Sequence, residues 1–501
     1  MGTVEFILLF FVSGIPFTKR LLIRYIPANY LLLLLGVFVG LHLLIDGYRW
    51  QMIPAYIMSA ILGWRLYQLN TEDTPKKWGL RIAGYALTII VLLIGWVLPM
   101  ALPVFSLPEP RGPYSVGTSS IYVQTEQEEE ITADPNDKRE LLYKIWYPGD
   151  VDTKSIEHEP YVDTGSRAGF ATKYGLPPTL LNYLDKVQTY VYPDIPVKET
   201  SFPVLIFSHG YGSKATGYYA LLTELASQGY IIINMNHTYE SLGVTLPDGR
   251  VHYFDYAYQQ TIGADAMEVV GPIIDAFKND LPYEERHPIV REAAKNYFEG
   301  RIQDRWANDM VTTLNLLEKW NTEGKFKHKL DLTRIGVFGH SVGGGAAGNV
   351  TLKDGRIKAA ANLDGIQWGD KIDRNYSVPF LYVSADWPAD HEDINAHIYK
   401  KKSTDYFYEC TLLQSGHPNF MDIPFMIPIP SVAGTGAINP YLGMEIVTKL
   451  LTSFFDQHLK GDNSMSIQAV GEQYDLLKML VHQGDSVRSP LDSMETTARS
   501  K

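Results

Sequence analysis

An α/β architecture, a mostly parallel sheet covered by helices on both faces and preceded by apolar helical segments, is what this 501-residue sequence predicts. Three observations point to it. From residue 203 onward, short near-continuous apolar runs alternate with stretches of helical spacing, the pattern of strands buried on both faces. One such run, 335–338, ends in Gly339-His340-Ser341-Val342-Gly343, the G-x-S-x-G pattern that puts a serine on a sharp strand-to-helix turn. Four apolar stretches lie ahead of residue 106.

Those stretches run over about 4–17, 29–45, 53–66 and 82–104. The second and fourth approach or exceed the ~20 residues that span a hydrocarbon core, and the other two are shorter. A cleaved signal peptide fits poorly, because Lys19, Arg20 and Arg24 follow the first apolar run instead of preceding it. With Arg65, Lys76, Lys77 and Arg81 between the third and fourth runs, the positive-inside rule makes both basic loops cytoplasmic. The expectation is a multi-pass cell-membrane protein with a membrane domain over 1–106, both termini outside and the large domain extracytoplasmic.

Residues 1–105 carry eight Lys/Arg against four Asp/Glu, so the rest of a chain of net charge −12 is strongly acidic. Nucleic acid is excluded as a partner, since its recognition depends on basic tracts. The single cysteine, Cys410, reads as a small apolar core residue and forms no intrachain disulfide.

The Pro/Gly-rich segment 107–113 marks the domain boundary, and 107–460 reads as the catalytic domain. Segments 114–125 and 140–147 predict an antiparallel hairpin at a sheet edge. Residues 150–200 are polar and irregular apart from a short helix near 178–187, an insertion near a binding site being one reading. Strands follow at 203–207, 230–235, 335–338, 359–363, 379–383 and 406–413, with helices at 218–228, 259–297 and 301–320. With the serine turn after the fourth or fifth strand, this order is that of the α/β-hydrolase fold. A last helix over 439–459 turns Ile446, Leu450, Leu451 and Phe454 to one face, and 461–501 reads as a weakly structured tail.

A serine hydroxyl is a weak nucleophile and needs a base, an acid that orients the base, and donors for the oxyanion. In this fold the order is Ser, Asp/Glu, His. His417 falls in the loop after the last apolar strand, where the base emerges; His391 and His458 read as surface residues. Two acids compete. Asp364 ends the first strand after the serine and Asp386 the next, with Asp390 and Asp422 weaker candidates. The oxyanion donors expected are the backbone N–H groups of Val342 and Tyr211, the latter in Ser208-His209-Gly210-Tyr211-Gly212, and His209 reads as structural. Phe420, Phe425, Met426 and Ile427 fit either an acyl site or the core. No metal or other cofactor is expected, there being no H-E-x-x-H and no cysteine cluster.

Taken together, Gly112-Pro113-Tyr114-Ser115-Val116-Gly117, Phe207-Ser208-His209-Gly210-Tyr211-Gly212, Gly339-His340-Ser341-Val342-Gly343-Gly344, Leu363-Asp364 and His417-Pro418-Asn419-Phe420 resemble, in order and spacing, the platelet-activating factor acetylhydrolases of the plasma and intracellular type II kind. The resemblance covers about 108–460. It implies a calcium-independent serine esterase that removes short or oxidised acyl chains from phospholipids, with Ser341 as nucleophile, Asp364 as acid, His417 as base, and Tyr211 and Val342 as oxyanion donors. The sequence departs from the family in carrying Val342 where an aromatic directly follows the serine. A general carboxylesterase, or a polyester or cutinase-like hydrolase with Asp386 as acid, is the alternative expectation; a non-catalytic membrane receptor is a further one.

Overall fold

The computed structural model describes residues 2–68, 78–214, 216–369, 372–388 and 394–484. Asp390 and His391, the loop lysines Lys76 and Lys77, and the tail from 485 lie outside the described residues.

The chain divides into two compact units. The first comprises Met1–Ser106 with Thr179–Val187 and Phe425–Val432. Its helices are Thr3–Leu22, Ala28–Ile45, Ile53–Tyr67 and Trp78–Ala101. Leu8, Leu9, Val12, Leu35, Met58 and Leu62 pack between them, while large apolar side chains such as Phe10, Leu33, Leu44 and Leu93 face outward. The helices are thus apolar on their outer as well as their inner faces. Two segments, Ala28–Ile45 and Ile82–Ala101, are long and apolar enough to cross a membrane. Inside this unit Arg49 pairs with Glu5 at 2.7 Å and donates to the carbonyl of Leu102 at 2.6 Å, so neither buried charge is left alone.

The second unit holds a ten-stranded sheet among the described residues. Its strands are β1 (Ser115–Glu128), β2 (Lys138–Gly149), β3 (Val191–Pro193), β4 (Phe202–Ser208), β5 (Ile231–His237), then β8 (Leu330–His340), β9 (Ile357–Leu363), β10 (Phe380–Ser384), β11 (Tyr406–Leu412) and β12 (Leu477–Gln483); β6 (Gly243–Thr245) and β7 (Val251–Tyr253) form a separate ribbon. The order is β12-β11-β10-β9-β8-β4-β5-β2-β1-β3. Strands β5, β4, β8, β9, β10 and β11 run parallel; β12 is antiparallel to β11 and β2 to β5, while β1 is antiparallel to β2 and parallel to β3. Every residue of β4, β5 and β10 is buried, as their mostly apolar composition suits in a sheet covered on both sides.

The helix Phe298–Thr322 packs beside the helix after the serine and buries Ile302, Trp306, Met310, Leu314 and Leu317, the residues whose helical spacing marks it in the sequence. The helix Pro440–Phe455 buries Ile446, Leu450, Leu451 and Phe454 and continues through a π-turn to Lys460. Two expectations need correcting. His458 is partly buried rather than free on the surface: its Nε2 lies 3.0 Å from the Tyr408 hydroxyl and its ring packs on Phe454. Residues 467–483 form a helix (Ile467–Gln473) and β12, which covers the open edge of β11; an antiparallel edge strand with one wet face has too weak an apolar pattern to stand out in sequence.

Candidate active site

Strand β8 delivers its last residue, His340, to a turn at which Ser341 adopts φ 58°, ψ −129°, and the helix Val342–Thr351 begins one residue later. A non-glycine residue held there costs about 1–3 kcal/mol, a strain typical of functional turns. The flanking glycines are obligatory on steric grounds. A Cβ on Gly339 would lie 2.2 Å from the Gly343 carbonyl oxygen, and one on Gly343 would lie 2.3 Å from that of Ser208. The helix start therefore rests directly on the backbone that leads into the Ser208–Gly212 loop.

Asp364 follows β9, also at positive φ, with its N–H bonded to the Val383 carbonyl. Its Oδ1 accepts from the Ala385 N–H at 2.8 Å and the Trp387 Nε1–H at 2.9 Å, and its Oδ2 lies 2.6 Å from His417 Nδ1. Since a carboxylate only accepts, Nδ1 carries the imidazole proton and Nε2 is the basic nitrogen. The turn that carries His417 is fixed by Asn419, whose Oδ1 accepts from the N–H groups of Gly416 and Gly436. The other acids are engaged elsewhere. Asp386 Oδ2 accepts from the Gln414 N–H at 2.8 Å. Asp422 is fully buried, accepts from the N–H groups of Tyr219 and Ala220 and from the Tyr161 hydroxyl, and is pushed up to about 6 by burial.

Around the oxyanion loop, the Gly210 N–H donates to the Tyr218 hydroxyl and the Gly212 N–H to the Glu240 carbonyl, whereas the N–H groups of Tyr211 and Val342 have no protein acceptor among the described residues. His209 is a prop: Nδ1 bonds the Gly210 carbonyl at 2.8 Å, Nε2 accepts from the His237 N–H, and burial holds its pKa down to about 3.

Ser341, Val342, Asp364 and His417 line one cleft of about 800 Å³. Its apolar lining comes from Val270, Ile273, Ile274 and Phe277 of the helix Ala266–Lys278, together with Trp368 and Trp387. Phe420 is fully buried against His340 and belongs to the core.

Some participants have no signal in the sequence. Glu299, at the start of the long helix, enters the same cleft; it accepts from Trp368 Nε1 at 2.9 Å, and burial pushes its carboxyl up to about 7. A second Ser–His–Asp set also exists: Ser208 Oγ lies 2.7 Å from His237 Nε2, and His237 Nδ1 lies 2.8 Å from Asp309 Oδ2. All three are completely buried, His237 stacks on Trp306 at 3.9 Å, and Arg139 pairs with Asp309, so this set braces the sheet with no access for a substrate.

A sheet of this order with a strained serine at its centre defines an α/β-hydrolase, and the fold is shared with a solved ferulic acid esterase from Streptomyces cinnamoneus (TM-score 0.58, 22% identity, 75% of this chain and all of that one). Residues 102–473 match the family model of platelet-activating factor acetylhydrolase, isoform II. The chain belongs to that family and is a serine ester hydrolase. Among curated relatives, a probable 1-alkyl-2-acetylglycerophosphocholine esterase of Arthroderma benhamiae is 23% identical over 77% of this chain and 97% of its own length. The platelet-activating factor acetylhydrolase of Cavia porcellus is 23% identical over 72% and 79%.

Proposed function

We propose that the protein is a membrane-anchored esterase that cleaves short-acyl or oxidised phospholipids through an acyl-Ser341 intermediate. The observation that carries this reading is the 2.6 Å contact between His417 Nδ1 and Asp364 in the cleft that also holds Ser341. His417 Nε2 takes the Ser341 proton as the hydroxyl oxygen attacks the ester carbonyl, and Asp364 holds the imidazole tautomer and balances its charge. The Tyr211 and Val342 N–H groups receive the oxyanion. The imidazolium then protonates the departing alcohol, and water, deprotonated by the same nitrogen, releases the acid and restores Ser341.

Residues 1–106 act as the membrane domain, and the unit built on the ten-stranded sheet, β12 of the C-terminal segment included, acts as the catalytic domain. The apolar outer surface of the first unit supports anchoring, and the basic loops support an extracytoplasmic catalytic domain. A carboxylesterase for bulkier acyl groups is a second reading, favoured by a cleft far larger than an acetyl group needs.

Labelling with a fluorophosphonate probe tests the core of the proposal. Wild type is expected to label stoichiometrically and Ser341→Ala not at all; labelling that persists in Ser341→Ala removes Ser341 as nucleophile. The same probe in membrane-impermeant form should label intact cells, and labelling only after lysis reverses the orientation.

A further inference from the structure

Two buried side chains with no part in the proton transfers join the oxyanion loop to the base. The Gly210 N–H donates to Tyr218 Oη at 3.1 Å. That hydroxyl lies 3.0 Å from His340 Nδ1, and His340 Nε2 lies 3.1 Å from the carbonyl oxygen of His417. A carbonyl only accepts, so Nε2 carries the proton. Burial, and then the nearby His417, hold the His340 pKa well below its ordinary value, so its ring is neutral and Nδ1 is an acceptor. The Tyr218 O–H then points at Nδ1, which leaves its lone pairs for Gly210 and for the Ser213 hydroxyl at 3.3 Å.

Every proton in the run Gly210, Tyr218, His340, His417 therefore has one direction. Tyr218 is 0% and His340 1% exposed, so water cannot substitute for a lost link. The loop passes close beside Ser341: a Cβ added to Gly210 would lie 3.2 Å from Ser341 Cβ. The His340 ring also packs on the His417 ring at 4.5 Å.

We propose that Tyr218 and His340 are positioning residues that set the spacing between the oxyanion loop and the base, an inference that rests on the roles proposed above for Tyr211 and His417. Reacting groups must be held within about 0.5 Å, and this buried run links a donor in a loop to a base in a turn.

The test uses the full chain in detergent, with p-nitrophenyl acetate as substrate and active sites counted by fluorophosphonate titration. Tyr218→Phe keeps the ring and removes the link. Turnover per titrated site is expected to fall about 10- to 100-fold with KM changed less than about threefold, the signature of a misplaced oxyanion donor. Affinity for an alkylboronic acid, which mimics the tetrahedral adduct, should fall by the same factor. Per-site turnover within twofold of wild type overturns the proposal, as does a loss confined to the number of titratable sites. Should Tyr218→Phe not fold, His340→Gln and His340→Leu serve: the amide of Gln can both accept from Tyr218 and donate to the His417 carbonyl, so Gln should retain most per-site turnover and Leu should not. Equal loss in both overturns the proposal. Failure of the underlying reading is distinguishable, because it appears as labelling of Ser341→Ala, whatever Tyr218→Phe does.

Discussion

Replacing Asp364 with Asn isolates the electrostatic part of the site. The carboxylate uses its two oxygens differently: Oδ1 accepts from the Ala385 N–H and Trp387 Nε1–H, and Oδ2 accepts a hydrogen bond from His417 Nδ1 at 2.6 Å. An amide can keep its oxygen at the Oδ1 position, so the loop contacts survive, but it then presents NH₂ to His417. An NH₂ group donates, and the imidazole must turn Nδ1 into an acceptor, moving its proton to Nε2. Nε2–H cannot accept the Ser341 proton. Wrong-tautomer inactivation of this kind costs about 10⁴-fold in kcat, or about 5 kcal/mol of transition-state stabilisation. Asp386→Asn touches only the Gln414 N–H and should stay within about tenfold of wild type. The assay is kcat/KM on p-nitrophenyl butyrate with protein amounts normalised by circular dichroism. Loss of less than about tenfold in Asp364→Asn, or a larger loss in Asp386→Asn, would refute the assignment.

Two further outcomes follow from the geometry. Glu299 ionises at about 7 in the folded protein against 4.5 as the ordinary value, so its contribution to stability is fully present below about 4.5 and lost as pH rises through 7; the shift corresponds to about 3 kcal/mol. Urea denaturation of Glu299→Gln should therefore gain on wild type by up to that amount between pH 4.5 and 8, and parallel pH profiles would contradict the burial argument. Gly343→Ala puts a methyl 2.3 Å from the Ser208 carbonyl and 2.4 Å from that of His209, both backbone and unable to yield; it should lower thermal stability by at least about 2 kcal/mol and abolish probe labelling, and a stable, labelling variant would show that the turn tolerates a side chain.

Much of the architecture is legible in the sequence because it is written in local periodicity. The near-continuous apolar runs within β4, β5 and β9 and the 3.6-residue spacing of Ile302, Trp306 and Met310 each identify an element without reference to anything distant. The serine turn is legible for a steric reason, as its glycines answer to atoms that any chain following this path would supply. What periodicity cannot express is pairing. Strand β12 is hidden because only its partner β11 makes it a strand, and segments 179–187 and 425–432 join the first unit through contacts between residues far apart in the chain.

The sequence by itself determined the fold class, the serine on its elbow, and the loop from which a histidine emerges, since each depends on a few consecutive residues. Between Asp364 and Asp386 the residues alone left a tie, which the family resemblance leaned toward Asp364; in the structure Asp364 is the one within hydrogen-bond reach of His417. Tertiary structure alone brought in Glu299, and Tyr218 and His340 as the link between Gly210 and His417. The physical reason is the same throughout. A hydrogen bond has a range of about 3 Å and no memory of chain distance, so which of two strand-end carboxylates meets an imidazole some fifty residues on is settled by the twist and register of the sheet.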